Sequence, residues 1–355
     1  MLGSAAPLSY PSPRFTQTLA MACVAALIGL GRPSGVSSQD LALTGANVVD
    51  VESGRIIADA TVTIRGGVIE SIVPGGAAPA GMEAVDLGGR YLSPGLMDAH
   101  VHLSTEAQAV RALQSGITTA RNAGSSSYAD VGLRDLIRAG YAQGPEMLAA
   151  GYHIRPGEPE AFWIDNPTLG RFRADGLRSP DAIAAAVNAN LDRSVDFIKT
   201  TSTERAGLPN TDPRKQLYDA GEVGIMVREA SARGIPVMAH AHGDVGARAA
   251  VEGGVRSIEH GTYMSRETLR IMVQRGTFLV PTVAIVADLT IPGGDYDNSI
   301  LSIRGRHMLP RVREMARMAH SLGVKIVAAT DTGYSTESTT RLAHELMEYV
   351  ENIGS

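Results

Sequence analysis

The sequence predicts an α/β fold, a TIM-type (β/α)8 barrel that follows a small N-terminal β-sandwich. Three observations predict this fold. Eight short apolar segments alternate with helix-like stretches after residue 92, the polar residues of these segments gather at their carboxyl ends, and the chain has 355 residues. Strands that alternate with helices pair in parallel, and a barrel of eight such units takes about 250 residues, which leaves room for an appendage.

The first 38 residues differ in composition from the rest of the chain. Arg14 is followed by the uncharged apolar run TLAMACVAALIGLG and then by the small residues of PSGVSS. Such a run suits the hydrophobic part of a secretory signal peptide and is shorter than a membrane span of about 20 residues. We therefore expect a signal peptide over residues 1–38 and a secreted or periplasmic protein. The alternative is a cytoplasmic protein that starts at Met21 or later. The only cysteine, Cys23, lies in this segment, so any metal must be held by nitrogen and oxygen.

Residues 39–92 have the pattern of short strands joined by tight turns. The stretch LALTGANVVDVESGRIIADATVTIRGGVIESIV alternates β-branched residues and is interrupted at Glu52–Gly54 and Gly66–Gly67. Interruptions of this kind are turns between antiparallel strands. Together with VDLGGRYL, this predicts a β-sandwich without chemistry of its own, followed by the barrel over residues 93–355.

The eight barrel strands are predicted from apolar runs with β-branched residues. Alanine-rich helical stretches such as DAIAAAVNANLDR and EVGIMVREASARG separate them, and the second of these is expected to end at Gly234 as its C-cap. The predicted strands begin near Leu92, Ile117, Glu146, Asp196, Pro236, Ser257, Phe278 and Lys325.

Two histidines stand at alternate positions of the first barrel strand, LSPGLMDAHVHL. Side chains two residues apart in a strand point to the same face, so His100 and His102 project together. A single buried histidine is more often an ordinary core residue. A pair of imidazoles aimed at one point favours a metal such as zinc.

The segment SPGLMDAHVHL resembles the first-strand signature of the metal-dependent amidohydrolase superfamily. Further positions match that pattern in order: Lys199 in VDFIKTT, His240 in IPVMAHAHG, His260 in VRSIEHGT and Asp331 in KIVAATDTG. The sequence AHAHG followed by IEHGTY most resembles the branch of Xaa-Pro dipeptidases and carboxypeptidase-like amide hydrolases. That branch includes hydrolases of N-acyl amino acids and of ochratoxin-type amides. It is related to imidazolonepropionase-like proteins. The resemblance runs from about Leu41 to the end of the chain.

The resemblance implies two divalent metal ions, with zinc expected, bridged by a carboxylated lysine. An unmodified ammonium has no lone pair, so Lys199 would otherwise be a structural charge or a general base. As N6-carboxylysine it would bridge the two ions. The expected metal ligands are His100, His102, Lys199, His240, His260 and Asp331.

The expected reaction is attack on an amide carbonyl by a hydroxide that bridges the metals. Asp331 would carry the proton from water to the leaving amine. His242 would donate a hydrogen bond to the oxyanion or bind a substrate carboxylate, unless His242 is the ligand and His240 its neighbour. Tyr263 is expected either to reach the substrate or to pack in its loop. The loop RPGEPEAFWIDNPTLGRFRADGLR offers Arg155, Arg171 and Arg173 for a substrate carboxylate, and none stands out; the role of His153 is left open.

We therefore expect a metal-dependent hydrolase of dipeptides or N-acyl amino acids that carry a free carboxylate. The alternative is a mononuclear deaminase or an imidazolonepropionase-like cyclic amide hydrolase, which would not need Lys199 and would usually have a carboxylate where this chain has Gly243. A metal-binding protein without activity is the non-enzyme alternative.

Charge and chain length limit the expected partners. The net charge of −5 and the lack of a basic run exclude a nucleic-acid site, so the expected partner is a small-molecule or dipeptide-like substrate. No membrane contact is expected after signal cleavage, and a homo-oligomer is compatible with the sequence. The resembled family continues beyond the last barrel helix into strands that complete the sandwich, whereas this chain stops at Ser355. This predicts a shortened C-terminus, either of the sequence or of the protein.

Overall fold

The computed structural model describes residues 40–354. The predicted signal peptide lies outside the described residues. These residues divide into two compact units: the first contains residues 40–48 together with Arg55–Leu92, and the second contains Val49–Gly54 together with residues 93–354. None of the helices within residues 40–354 is long and apolar enough to cross a membrane.

The first unit is one five-stranded sheet. Its strands follow the order β3-β2-β1-β4, and β5 also pairs with β1. The antiparallel pairing predicted for this region holds for β2 and β3, whereas β4 and β5 each run parallel to β1. The expected second layer of a sandwich is not among the described residues, which form a single sheet here. The strands are β1 (Leu41–Asp50), β2 (Arg55–Arg65), β3 (Val68–Pro74), β4 (Glu83–Asp86) and β5 (Tyr91–Leu92).

The second unit contains two parallel sheets, as expected for strands joined by helices. A three-stranded sheet has the order β6-β7-β8, and a four-stranded sheet has the order β12-β11-β10-β9. The strands of the four-stranded sheet are buried almost throughout, because helices cover parallel sheets. The strands are β6 (Leu96–Val101), β7 (Ile117–Asn122), β8 (Glu146–Ala149), β9 (Ile198–Thr201), β10 (Val237–Ala241), β11 (Ser257–His260) and β12 (Phe278–Val280).

The predicted eighth strand forms isolated bridges rather than a regular strand. Ile326 pairs with Leu279 of β12, and Thr332 pairs with Val101 of β6, both in parallel. Between these bridges the backbone N–H of Thr330 donates to the side-chain carboxylate of Asp98 in β6 at 3.0 Å instead of to a backbone carbonyl. A third bridge joins Ile154 to Thr200 of β9. This arrangement fits an eight-stranded barrel.

Ten α-helices lie among the described residues, and two of them correct the sequence analysis. The helix predicted to end at Gly234 ends at Ser231 with Ala232 as its C-cap, and Gly234 closes the following turn with φ of +71°. The strand predicted from Phe278 is short, because proline has no N–H for a strand ladder and a helix begins soon after Pro281. The helices are α1 (Glu106–Gln114), α2 (Ala129–Arg138), α3 (Glu160–Asp165), α4 (Pro180–Leu191), α5 (Ala220–Ser231), α6 (Asp244–Gly253), α7 (Arg266–Arg275), α8 (Val283–Asp288), α9 (Ser299–Leu322) and α10 (Leu342–Glu348).

Candidate active site

One cavity opens at the carboxyl ends of the parallel strands, where barrel enzymes place their active sites. Most of the polar residues predicted for the site lie at or near the end of a strand, so the chain direction of the parallel sheets brings them to the same end. Lys199 lies earlier, at the second position of β9. The predicted residues that line this cavity are His100, His102, Lys199, His240, His242, His260 and Asp331.

Asp331 is the centre of the first group of possible metal ligands. Its Oδ1 lies 3.2 Å from Nε2 of His100 and 3.2 Å from Nε2 of His102. The ligand atoms of His100, His260 and Asp331 all lie within 4.8 Å of one another. Two imidazoles and a carboxylate at this spacing are a suitable ligand set for a divalent metal such as zinc.

A second group of possible ligands consists of histidines alone. The ring nitrogens of His240, His242 and His260 lie within 4.8 Å of one another. His260 therefore belongs to both groups. The ring centroids of His240 and His242 both lie 4.6 Å from that of His260. Both alternatives for the ligand on β10 consequently stay open.

Hydrogen bonds at the rear of two histidines fix which ring nitrogen faces the cavity. Nδ1 of His100 lies 2.8 Å from Oε2 of Glu259, and the same oxygen accepts a hydrogen bond from Arg121 at 3.1 Å. Nδ1 of His102 lies 3.2 Å from the carbonyl oxygen of Gly124. Both oxygens only accept, so each Nδ1 carries the proton and each Nε2 keeps a lone pair for a metal. The sequence analysis missed Glu259; its signal was a carboxylate in the buried strand beside His260.

Threonine hydroxyls hold two further histidines. Nδ1 of His260 lies 2.7 Å from the hydroxyl of Thr282, and Nδ1 of His242 lies 2.9 Å from the hydroxyl of Thr262. His260 and Thr282 both have positive φ, +75° and +49°, and Asp331 has φ of +56°. Left-handed backbone at non-glycine residues is costly and is concentrated at functional sites.

Burial keeps the imidazoles neutral. Burial lowers the pKa of His100, His240 and His260 well below the usual histidine value, and lowers the pKa of His242 to about 3. A neutral imidazole is the form that binds metal. Burial by itself would raise the pKa of Asp331, but the neighbouring His100 and His102 outweigh it, so the carboxyl pKa lies below its usual range and the group is ionised.

Lys199 is almost completely buried and its amine has no partner. Lys199 is 1% exposed to solvent, and its Nζ has no hydrogen bond to any residue of the described range 40–354. Burial lowers the pKa of the Lys199 ammonium to about 8. An unpaired buried amine is unfavourable. A lysine that is carboxylated and bound to metal would remove this cost, so the side chains present fit the expected metals.

Several residues that line the cavity were not assigned to the site by the sequence analysis. His153, Arg205 and Tyr296 line the same cavity as the histidine groups. The ring centroid of His153 lies 6.0 Å from that of His102. Ile285, Val286 and Leu289, from α8 and the residue after it, form an apolar part of the wall.

The structure places Tyr263 and the predicted arginine loop differently from the histidines. Tyr263 lines a separate depression beside Arg304 and His307, although its backbone N–H donates to the carbonyl of His242 at 2.9 Å. Arg155 pairs with Glu158 at 3.3 Å and Arg173 pairs with Glu160, while Arg171 lies over the ring of Phe172. These three arginines are therefore engaged with other groups. None of them lines the cavity of the histidine groups, but Arg155 lines an adjoining depression together with His102, His153 and Arg205.

Comparisons with known proteins agree with this geometry. The amidohydrolase family model matches residues 91–352. Ochratoxinase from Aspergillus niger is 25% identical over 240 residues, which are 58% of this chain and 50% of that protein. Adenine deaminase 2 from Bradyrhizobium sp. is 37% identical over 94 residues, 24% of this chain and 16% of that protein. The chain thus spans half or less of the length of these two relatives.

A solved structure resembles a larger part of the chain. The crystal structure of a Xaa-Pro dipeptidase with bound methionine in its active site has a TM-score of 0.74 at 26% identity and covers 89% of this chain and 84% of that one. The family resemblance seen in the sequence is confirmed, because the family model spans most of the chain. This chain belongs to the amidohydrolase family.

Proposed function

We propose that this protein is a metal-dependent hydrolase of amide bonds, with dipeptides or N-acyl amino acids that carry a free carboxylate as substrates. The observation that carries the proposal is the pair of possible ligand groups that share His260, beside a buried lysine without a partner. The likeness to a Xaa-Pro dipeptidase structure supports the substrate class. We further propose that the parallel strands of the second unit form a closed TIM-type barrel, which the bridges on both sides of residues 326–332 support.

The proposed site holds two divalent ions, zinc by preference for imidazole and carboxylate ligands. His100, His102 and Asp331 would hold one, and His240 and His260 the other, with Lys199 carboxylated between them. When bound, the ions supply Lewis acidity, which polarises the scissile carbonyl and favours ionisation of water.

The side chains of the cavity divide the remaining work. Asp331 is ionised, and it lies in the cavity where it can take a proton from the attacking water and return it to the leaving amine. His242 is neutral and would donate a hydrogen bond to the oxygen that gains charge. Tyr263 is proposed to contact the part of the substrate that extends toward its depression.

A substrate panel tests this proposal. Dipeptides and N-acyl amino acids with proline or an apolar residue at the carboxyl end should be cleaved by the metal-loaded protein, with products identified by mass spectrometry. Asp331→Asn should lower kcat/KM by about 10³-fold across the whole panel, because proton transfer contributes about 10²–10⁴-fold. An inert panel would contradict the proposal.

A mononuclear deaminase is the second candidate, favoured by the match to adenine deaminase 2. His100, His260 and Asp331 alone could hold a single ion. In that case adenine or a related aminated heterocycle should release ammonia, and removal of the Lys199 side chain should leave that activity largely intact.

A further inference from the structure

Arg205 is a cation in the wall of the histidine cavity without a partner. It is partly buried, and its guanidinium makes no hydrogen bond or ion pair with any other residue in the range 40–354. A guanidinium presents five donors in a rigid fork that matches a carboxylate. A partly buried arginine that leaves these donors unused within the chain is available for an anionic ligand.

The loop that carries Arg205 is tied down from below by a second arginine. Arg304 of α9 donates to the carbonyl oxygens of Ala206, Leu208 and Thr211 at 2.5, 2.6 and 2.7 Å. These hydrogen bonds fix the backbone on the C-terminal side of Arg205. The backbone that carries Arg205 is therefore positioned at the cavity before a ligand arrives, which lowers the entropy cost of binding.

The start of the same loop is held by an ion pair. Nζ of Lys215 lies 2.7 Å from a carboxylate oxygen of Glu204, and the other oxygen of Glu204 accepts from the backbone N–H of Asp212 at 2.9 Å. The carboxylate next to Arg205 in sequence is thus already engaged with other groups. It leaves the Arg205 charge uncompensated.

The charges around the cavity also favour an anion. Asp331 is the one carboxylate among the residues that line it in the described part of the chain, and this carboxylate already faces His100 and His102. A ligand carboxylate would pair with the charge of Arg205.

The wall beside Arg205 is apolar with one hydroxyl. Ile285, Val286 and Leu289 line it together with Tyr296. The Tyr296 ring lies beside Gly207, at 3.8 Å from the place that a Cβ atom would take on this glycine. Burial raises the pKa of Tyr296 to about 12, so its hydroxyl keeps its proton and can donate. The cavity thus combines a cationic residue with an apolar part of its wall.

We propose that Arg205 binds the α-carboxylate of the leaving amino acid, and that the apolar wall takes the side chain of that same amino acid. This inference rests on the proposed amide hydrolase function and names the residue that selects its substrate. The contact is a charge-assisted, bidentate guanidinium–carboxylate pair. This pair accounts for the proposed preference for a free carboxylate, although the arginines of residues 155–178 are engaged with other groups of the chain.

The test compares N-acetyl-L-phenylalanine with its C-terminal carboxamide, following release of the acetyl group by mass spectrometry. In the wild-type metal-loaded protein, kcat/KM for the acid should exceed that for the carboxamide by about tenfold or more. In Arg205→Met this ratio should fall to within about threefold of one, and Arg205→Lys should be intermediate because it keeps the charge and loses the fork. Arg173→Met removes a solvent-exposed arginine that pairs with Glu160, and it should keep the wild-type ratio.

The outcomes separate this inference from the function on which it rests. A wild-type ratio in Arg205→Met, in a variant that unfolds at the wild-type temperature, overturns the role of Arg205 and leaves the hydrolase function standing. A wild-type protein that cleaves neither compound nor any other member of the panel contradicts the hydrolase function. Calorimetric binding of N-acetyl-L-phenylalanine then decides about Arg205: equal affinity in wild type and Arg205→Met overturns the assignment, and loss of binding in the variant supports it.

Discussion

At the scale of single residues, the buried amine of Lys199 is the least expected feature of the site. Lys199 is one of the largest fully buried side chains in the described part of the chain, and its Nζ finds no partner there. A buried polar group that is left unsatisfied costs about 1–3 kcal/mol, and more when it is charged. A lysine of this kind needs a modification or a ligand that the polypeptide alone does not supply.

Replacing Lys199 by alanine should therefore remove metal and activity together. The variant should retain less than about half of the wild-type metal and lose activity on the amide panel by about 10²-fold or more, because the proposed bridge between the ions would be lost. Metal content is measured by mass spectrometry and activity by initial rates. Added short-chain carboxylic acids should restore part of both.

Lys325 provides the control. Its Nζ lies 5.5 Å from the centroid of the Phe278 ring, away from the histidine cavity. Lys325→Ala should keep both metal and activity. A Lys199→Ala variant with full metal and full activity would contradict the bridging role.

At the scale of elements, α9 supports the site although it contributes no residue to the cavity wall. Arg304 in this helix is bonded to carbonyls of residues 206–211, and the loop it holds carries Arg205. A helix that ties down a loop by side-chain hydrogen bonds fixes the loop more firmly than the loop's own contacts would. The order of the loop should thus depend in part on the Arg304 side chain.

Arg304→Met should loosen this loop and expose it to protease. Trypsin cleaves after arginine and lysine, and the loop contains Arg205, Arg214 and Lys215. We expect cleavage there to be about tenfold or more faster in Arg304→Met than in wild type, since local opening governs proteolysis. The cut sites are located by mass spectrometry. Equal cleavage rates in the two proteins would show that Arg304 does not order the loop.

A buried carboxyl group accepts a hydrogen bond from the first turn of helix α8, which forms the apolar wall. Glu345 of α10 accepts a hydrogen bond from the backbone N–H of Ala284 at 2.6 Å. Burial raises the pKa of Glu345 from its usual 4.5 to about 8. The folded state therefore binds this proton more tightly than the unfolded state does. The free energy of unfolding should decrease as the pH rises from about 4.5 toward 8 because of this group.

Glu345→Gln should remove that part of the pH dependence. The decrease in the free energy of unfolding between pH 5 and pH 8 should be smaller in the variant than in wild type, by on the order of 2–4 kcal/mol. Denaturation with urea at both pH values measures it, and the pH dependence of metal binding cancels because both proteins share it. An identical loss of stability in the two proteins would mean that Glu345 is ionised in the folded state.

At the scale of the whole molecule, the sequence predicted what depends on local pattern. Most of the predicted metal ligands lie at or near the carboxyl ends of strands, and the direction of parallel strands brings those ends together in one cavity. The irregular eighth strand was not predictable from its apolar run, because its backbone bonds to the carboxylate of Asp98 more than two hundred positions away.

Residues whose role depends on distant contacts were also beyond sequence reasoning. Arg205 looks like any loop arginine until Arg304, about a hundred residues later, is seen to hold its loop. The predicted arginines 155, 171 and 173 looked equally suitable, and their own carboxylate or ring partners engage them. Composition and spacing do not report which of several arginines is left unpaired.

Metal analysis of the active protein tests most directly the proposal that this fold holds two metal ions for amide hydrolysis. The metal-free chain is titrated with zinc while bound metal and cleavage of an N-acyl amino acid are followed together. We expect activity to rise until about two ions are bound per chain, since the ligand set exceeds what one tetrahedral ion takes. Full activity with a single bound ion, or no activity at any loading, would contradict it.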